Sequence, residues 1–136
     1  MNFSSFNQFL LLGLQQPWTV IYTKIIAIAL LYGAIVHIGN MLELTGTPWL
    51  STPPLWQSMD ILLLIFDLVT AITLWRGLVW SIWLLFSGIF LLQIVPYTLW
   101  RSQFVLKPED NQILNGLLGT EVLLLSVFVL LLWLRK

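Results

Sequence analysis

Four side chains interrupt long apolar runs of this sequence: His37, Asp67, Gln93 and Glu121. An ionisable group in such a run costs a few kcal/mol on membrane-insertion scales and usually faces the interior of a helical bundle. A carboxyl and an imidazole held together there can pass a proton. Apolar walls with a few converging polar groups are also what a site for a small lipophilic molecule requires. Spacing extends the set. Asn40 follows His37 by three residues, Asp60 precedes Asp67 by seven, and Tyr97 follows Gln93 by four, so each shares a helix face with its neighbour. The candidate polar pocket is therefore His37, Asn40, Asp60, Asp67, Gln93, Tyr97 and Glu121, with no residue assigned a catalytic role. One imidazole cannot neutralise both Asp67 and Glu121, so the pocket calls for a retained proton or a cationic, amine-like group. Each residue also has a plainer reading. His37 with Asn40 can be a hydrogen-bonded packing pair, and Gln93 with Tyr97 can be interhelical glue.

The elements that must position these residues follow from composition. The chain has 136 residues, of which 59% are hydrophobic and 9% charged, with a mean hydropathy of +0.92. A soluble domain carries about 25% charged residues, so the sequence reads as one polytopic, all-α membrane domain. A helix crossing the hydrocarbon core needs about 20 mainly apolar residues. Four segments qualify, at 20–42, 57–75, 78–100 and 113–134. Runs of that length do not fit the ~10-residue alternating strands of a membrane barrel. Trp75-Arg76-Gly77 is a tight link, which makes the second and third spans neighbours in an antiparallel four-helix bundle. Thr45-Gly46-Thr47-Pro48 and Ser51-Thr52-Pro53-Pro54 break the chain before the second span, and Pro108-Glu109-Asp110 suits a helix start.

Residues 1–16 lack the basic start and small-residue cleavage site of a signal peptide. Phe3, Phe6, Leu10 and Leu14 share one helical face and Ser5, Gln8, Gln15 and Gln16 the other. That pattern predicts a short amphipathic helix lying on the membrane and ended by Pro17, with a frayed apolar tail as the alternative. Asn115, Gly116 and Gly119 read as close packing at the start of the fourth span, and Lys24 and Arg76 as snorkelling interface anchors.

At a rise of 1.5 Å per residue, His37 lies about 7 Å from the end of its span that faces the Pro-rich loop, and Gln93 about 10 Å. Asp67 and Glu121 lie about 12–14 Å from it by the same measure, so one layer collects a polar group from every span. Lys24, Arg76, Arg135 and Lys136 fall on the other side, which places both termini in the cytoplasm. All six acids (Glu43, Asp60, Asp67, Glu109, Asp110 and Glu121) then lie in the outer half or outer loops. Beyond Asp67 toward the inner face, only Thr70 and Thr73 offer polar groups, which argues against an ion path.

Several chemistries are excluded. Six basic residues balance six acidic ones and leave no basic face for nucleic acid. The absence of cysteine removes disulfides, thiolate metal sites and Cys nucleophiles, and a single histidine removes bis-His haem and His-rich zinc sites. No P-loop, GxGxxG, HExxH or GxSxG motif is present, so neither metal nor cofactor is expected.

In plan, the chain resembles the DoxX-like group of small four-helix membrane proteins. The likeness covers about Ile21 to Leu134: four spans, a Pro-rich loop before the second, the acid in Ile65-Phe66-Asp67-Leu68, and the Trp75-Arg76-Gly77 link. It implies a subunit or assembly factor of a membrane complex, since the founding member is a small subunit of a quinone-reducing thiosulfate oxidoreductase. The His37, Asp67 and Glu121 set is also reminiscent of the EXPERA bundles, whose sterol isomerases use intramembrane acids and a histidine. Three functions compete. A non-enzymatic subunit or assembly factor ranks first, because nothing completes a nucleophile–base–oxyanion arrangement. A binder or enzyme for a lipophilic molecule such as a quinone, isoprenoid or sterol-like lipid follows. Proton or cation movement by an oligomer is third. The partners expected are the lipid bilayer, a lipophilic ligand, and a membrane protein or further copies of the chain.

Overall fold

The computed structural model describes residues 2–44, 48–105 and 107–134. Thr45-Gly46-Thr47 of the first loop and the terminal bases Arg135 and Lys136 lie outside the described residues. Among those described, the fold is all-helical, with no strand. A short helix, α1 (Phe3–Leu14), precedes α2 (Pro17–Met41), α3 (Pro54–Trp75), α4 (Trp80–Ile89), α5 (Val95–Leu99) and α6 (Pro108–Trp133). A π-turn at Phe90–Ile94 joins α4 to α5 into one continuous rod. Four helices are long and apolar enough to cross a membrane: α2, α3, the Trp80–Leu99 rod and α6.

Three of these helices begin earlier than apolarity alone predicts, and for one reason. Pro17, Pro54 and Pro108 each open a helix, where the missing N–H is no loss and the fixed φ is already helical. Pro17 thus starts α2 as well as ending α1. At α6 the Asp110 carboxylate accepts the Lys107 N–H at 3.0 Å, and Glu109 joins it in the first turn. The Trp75-Arg76-Gly77 link is a Schellman cap: Gly77 N–H donates to Leu74 O and Leu78 N–H to Thr73 O. Gly77 sits at φ +70°, the left-handed region that glycine enters without cost. The end of α2 has the same geometry, with Glu43 N–H on Asn40 O and Leu44 N–H on Gly39 O. There the left-handed residue is Glu43, at φ +62°.

Two apolar clusters hold the helices together. The larger joins Ile26 and Ala27 of α2, Leu74 of α3, Leu85 of α4 and Phe128 of α6 to Leu10 and Leu14 of α1. The smaller, at the other end, is Met59, Leu63, Phe104 and Leu114. Helix α1 is the short helix expected of this segment, and one side of it packs on the bundle while Leu11 and Leu12 stay exposed. Its apolar face is turned onto protein: Gly13 abuts Leu132, Phe9 meets Trp133 edge-on, and Phe3 stacks on Trp83. Asn7 fixes the dock by accepting the Trp83 indole N–H at 2.9 Å. The wheel found the right apolar face, but what covers it is tertiary structure.

The close packing expected at the start of α6 is not made among the described residues of this chain. Asn115, Gly116 and Gly119 are exposed, and a Cβ built on either glycine would meet nothing within 4 Å. The buried residues of α6 are Leu114, Glu121, Phe128 and Leu132, a seven-residue stripe on the opposite side from these glycines. Close approach of helices occurs instead at Gly33, where a Cβ would come within 2.8 Å of Asp67 Oδ2, and at Gly88, where it would overlap the Phe66 ring.

Candidate functional site

The polar residues are delivered by four helices. His37 and Asn40 share a face of α2, Asp60 and Asp67 a face of α3, and Glu121 faces inward from α6. Gln93 and Tyr97 come from the rod, and the distortion there has a local cause. Pro96 has no N–H for the carbonyl one turn back, and the chain widens into a π-turn in which Val95 N–H bonds Phe90 O. Such turns recur at functional sites because they re-aim a side chain. Here the residue carried on the turn is Gln93, which is buried.

Asp60 is the hub of the loop end. Its Oδ1 lies 2.8 Å from His37 Nδ1 and accepts from Asn40 Nδ2 at 3.3 Å. Its Oδ2 accepts the Trp49 indole N–H at 2.8 Å. A carboxylate that accepts Nδ1–H fixes the ring and its tautomer, which leaves Nε2 facing deeper into the protein. His37 Nε2 stands 3.8 Å from Asp67 Oδ2. That is too long for a direct hydrogen bond and short enough for both atoms to address one polar atom of a ligand. Gly33 permits the approach, since any side chain there would strike the Asp67 carboxylate.

Two adjoining cavities contain all seven candidate residues. One of about 490 Å³ is lined by His37, Asp67, Gln93, Tyr97 and Glu121 over apolar walls that include Ile26, Leu30 and Leu85. The other, about 320 Å³, holds His37, Asn40, Asp60 and Tyr97. They share His37, Leu63, Tyr97 and Leu117, and the first lies within the range of small-molecule sites. Asp67 and Glu121 are 4% and 7% exposed, and Glu121 Oε2 has no hydrogen-bond partner among the described residues.

The cavity sits between α2 and α6. Below it, Tyr22 of α2 donates to Leu124 O of α6 at 2.7 Å and packs on Phe128, which makes a floor. Above, Ala29, Tyr32, Gly33 and Val36 face Leu117, Thr120 and Glu121 across open space. Ala29 and Tyr32 are exposed, so this seam opens to the side.

Sequence reasoning missed Trp49. It reads as an interfacial tryptophan, yet its indole N–H is donated to Asp60, and Gln57 Nε2 pins its segment at the carbonyls of Trp49, Leu50 and Thr52. A tryptophan eleven residues before an acid gives no sequence signal of this. Lys24 Nζ lies 4.9 Å over the Trp75 ring. Toward the α1 end the structure adds Thr19, Thr23 and Ser81 to the buried hydroxyls of Thr70 and Thr73. Thr23, Thr73 and Ser81 donate to carbonyls of their own or adjacent helical turns. No family model, curated protein or solved structure matches the chain.

Proposed function

We propose that this chain inserts into a membrane as an antiparallel four-helix bundle and binds a small lipophilic molecule in the cavity between α2 and α6. The observation that carries this is Glu121: a carboxyl 7% exposed, with Oε2 unpartnered, on the wall of a 490 Å³ cavity otherwise mostly apolar. A buried polar group is costly unless it is hydrogen-bonded, and a ligand supplies the partner. A side opening between α2 and α6 suits a molecule that arrives from the lipid phase. His37, held by Asp60 and facing Asp67, gives the site a group able to take or give a proton.

We further propose a plan like that of the DoxX-like group, with both termini on the cytoplasmic side. Because the chain contains no native cysteine, single cysteines at Ser5 and Ser51 label from opposite sides of sealed vesicles if this topology is right. A second reading, as a subunit or assembly factor, is favoured by α6. Its Asn115, Gly116 and Gly119 face is uncovered, and small residues of this kind let a partner helix approach closely.

Plugging the opening tests the binding reading. Ala29→Trp fills the α2–α6 seam without touching the buried clusters, so the variant is expected to fold normally and lose bound lipophile. A variant that retains the same lipophile as the unmodified chain overturns the reading.

A further inference from the structure

The charges around the cavity restrict what can occupy it. Four elements contribute titratable groups, His37 from α2, Asp60 and Asp67 from α3, Tyr97 from α5 and Glu121 from α6, while α4 adds only Leu85 and Ile89. Three carboxyls therefore face one imidazole, and neither cavity has a lysine or arginine in its lining. The basic residues that are described lie elsewhere. Lys24 lies over Trp75, Arg76 borders a separate cavity with Ala27 and Ala71, Arg101 Nε donates to Tyr97 O, and Lys107 starts α6. Asp60 already has three donors, but among the described residues Glu121 Oε2 has none, and Asp67 meets only His37 Nε2, at 3.8 Å and beyond hydrogen-bond distance.

An acceptor-only ligand such as a quinone can take a hydrogen bond from a carboxyl that keeps its proton, but it offers no donor to one that is ionised. A metal ion is a poor fit: no cluster of three or more His, Asp or Glu ligands exists among the described residues. An ammonium group supplies both charge and donors, and charge-assisted hydrogen bonds are about twice as strong as neutral ones. It would also offset carboxylates whose burial unpaired is costly. The apolar part of the cavity runs from the level of His37 to that of Ile26, about 16 Å at helical rise.

We propose that the occupant is a lipophilic amine, its protonated head set between Glu121 Oε2 and Asp67 and its apolar tail directed toward Ile26 and Leu85. This rests on the binding reading above and adds the class of ligand. A neutral alcohol of the same length fits the walls equally but leaves the carboxylates without a countercharge.

Thermal unfolding in a non-ionic micelle, with dodecylamine, dodecan-1-ol or dodecyltrimethylammonium at equal mole fraction, separates the possibilities. Dodecylamine is expected to bind at least tenfold more tightly than the alcohol, with the quaternary ion between them because it has charge but no N–H. Glu121→Gln, or Asp67→Asn should that variant fail to fold, removes the amine's advantage, and Ala29→Trp removes binding of all three. Equal binding of amine and alcohol, both lost in Ala29→Trp, overturns the amine assignment and leaves the lipophile site standing. An amine preference that persists in Glu121→Gln and Asp67→Asn also overturns it. No binding of any probe to the unmodified chain defeats both.

Discussion

The two ends of this molecule use polar residues in opposite ways. At the α1 end the buried polar groups are hydroxyls. Thr23, Thr73 and Ser81 bond back to helix carbonyls, Thr19 and Thr70 keep hydroxyls with no partner among the described residues, and the helices close around Ala27, Leu74 and Phe128. At the Trp49 end they are ionisable and amide groups that meet across helices, and α2 and α6 part around a cavity. A hydroxyl can bond a carbonyl of its own helix, and one left unpartnered costs far less than a buried charge, so it tolerates tight packing. A carboxyl cannot, so it needs a partner from another element or from outside. Glu121 has found neither on Oε2.

The largest expected effect breaks the tight end. Phe128 is fully buried, in contact with Tyr22 and Phe86, and Phe128→Ala should cost about 3–5 kcal/mol in equilibrium unfolding. A loss under about 1 kcal/mol would mean that this end is not the rigid half. At the open end the sign differs. Glu121→Gln should lower ligand affinity at least tenfold, about 1.4 kcal/mol, with stability without ligand unchanged or raised, because an unpartnered buried carboxyl is removed. If it unfolds the protein, Glu121 is structural and the contrast fails.

The mouth gives a smaller effect. Trp49→Phe keeps the ring but deletes the N–H donated to Asp60, a loss of about 1 kcal/mol. Faster hydrogen exchange at the Thr52 amide, which bonds Trp49 O, would report it. Unchanged exchange there means that Asp60 does not hold this segment. Smallest is Glu43→Gly. It relieves the left-handed conformation at φ +62° and gives up only an exposed 3.3 Å bond to the Trp49 amide. A gain of about 0.5 kcal/mol in unfolding free energy is expected, and a loss would show that this bond anchors the mouth.

How much the sequence revealed divides along the same line. The four long helices were legible because apolar runs of that length have few alternatives, and their starts were misplaced only because Pro17, Pro54 and Pro108 lie outside the apolar stretch. The convergence of His37, Asp67, Gln93 and Glu121 on one cavity was legible from helical rise and facial spacing. Pairing was not. Asp60, rather than Asp67, takes the direct bond to His37, a choice made by side-chain reach that spacing does not encode. The role of Trp49 and the docking of α1 on Trp83 and Leu132 depend on contacts 11 to 119 residues apart in the chain. The face with Asn115 and Gly116 misled because small residues permit close packing without requiring it.

The most direct test of the account is native mass spectrometry of the protein extracted gently from its own membrane, alongside the Ala29→Trp variant. The account predicts one bound lipophilic amine per chain in the unmodified protein and none in the variant. A bare unmodified chain, or the same adducts on both proteins, would contradict it.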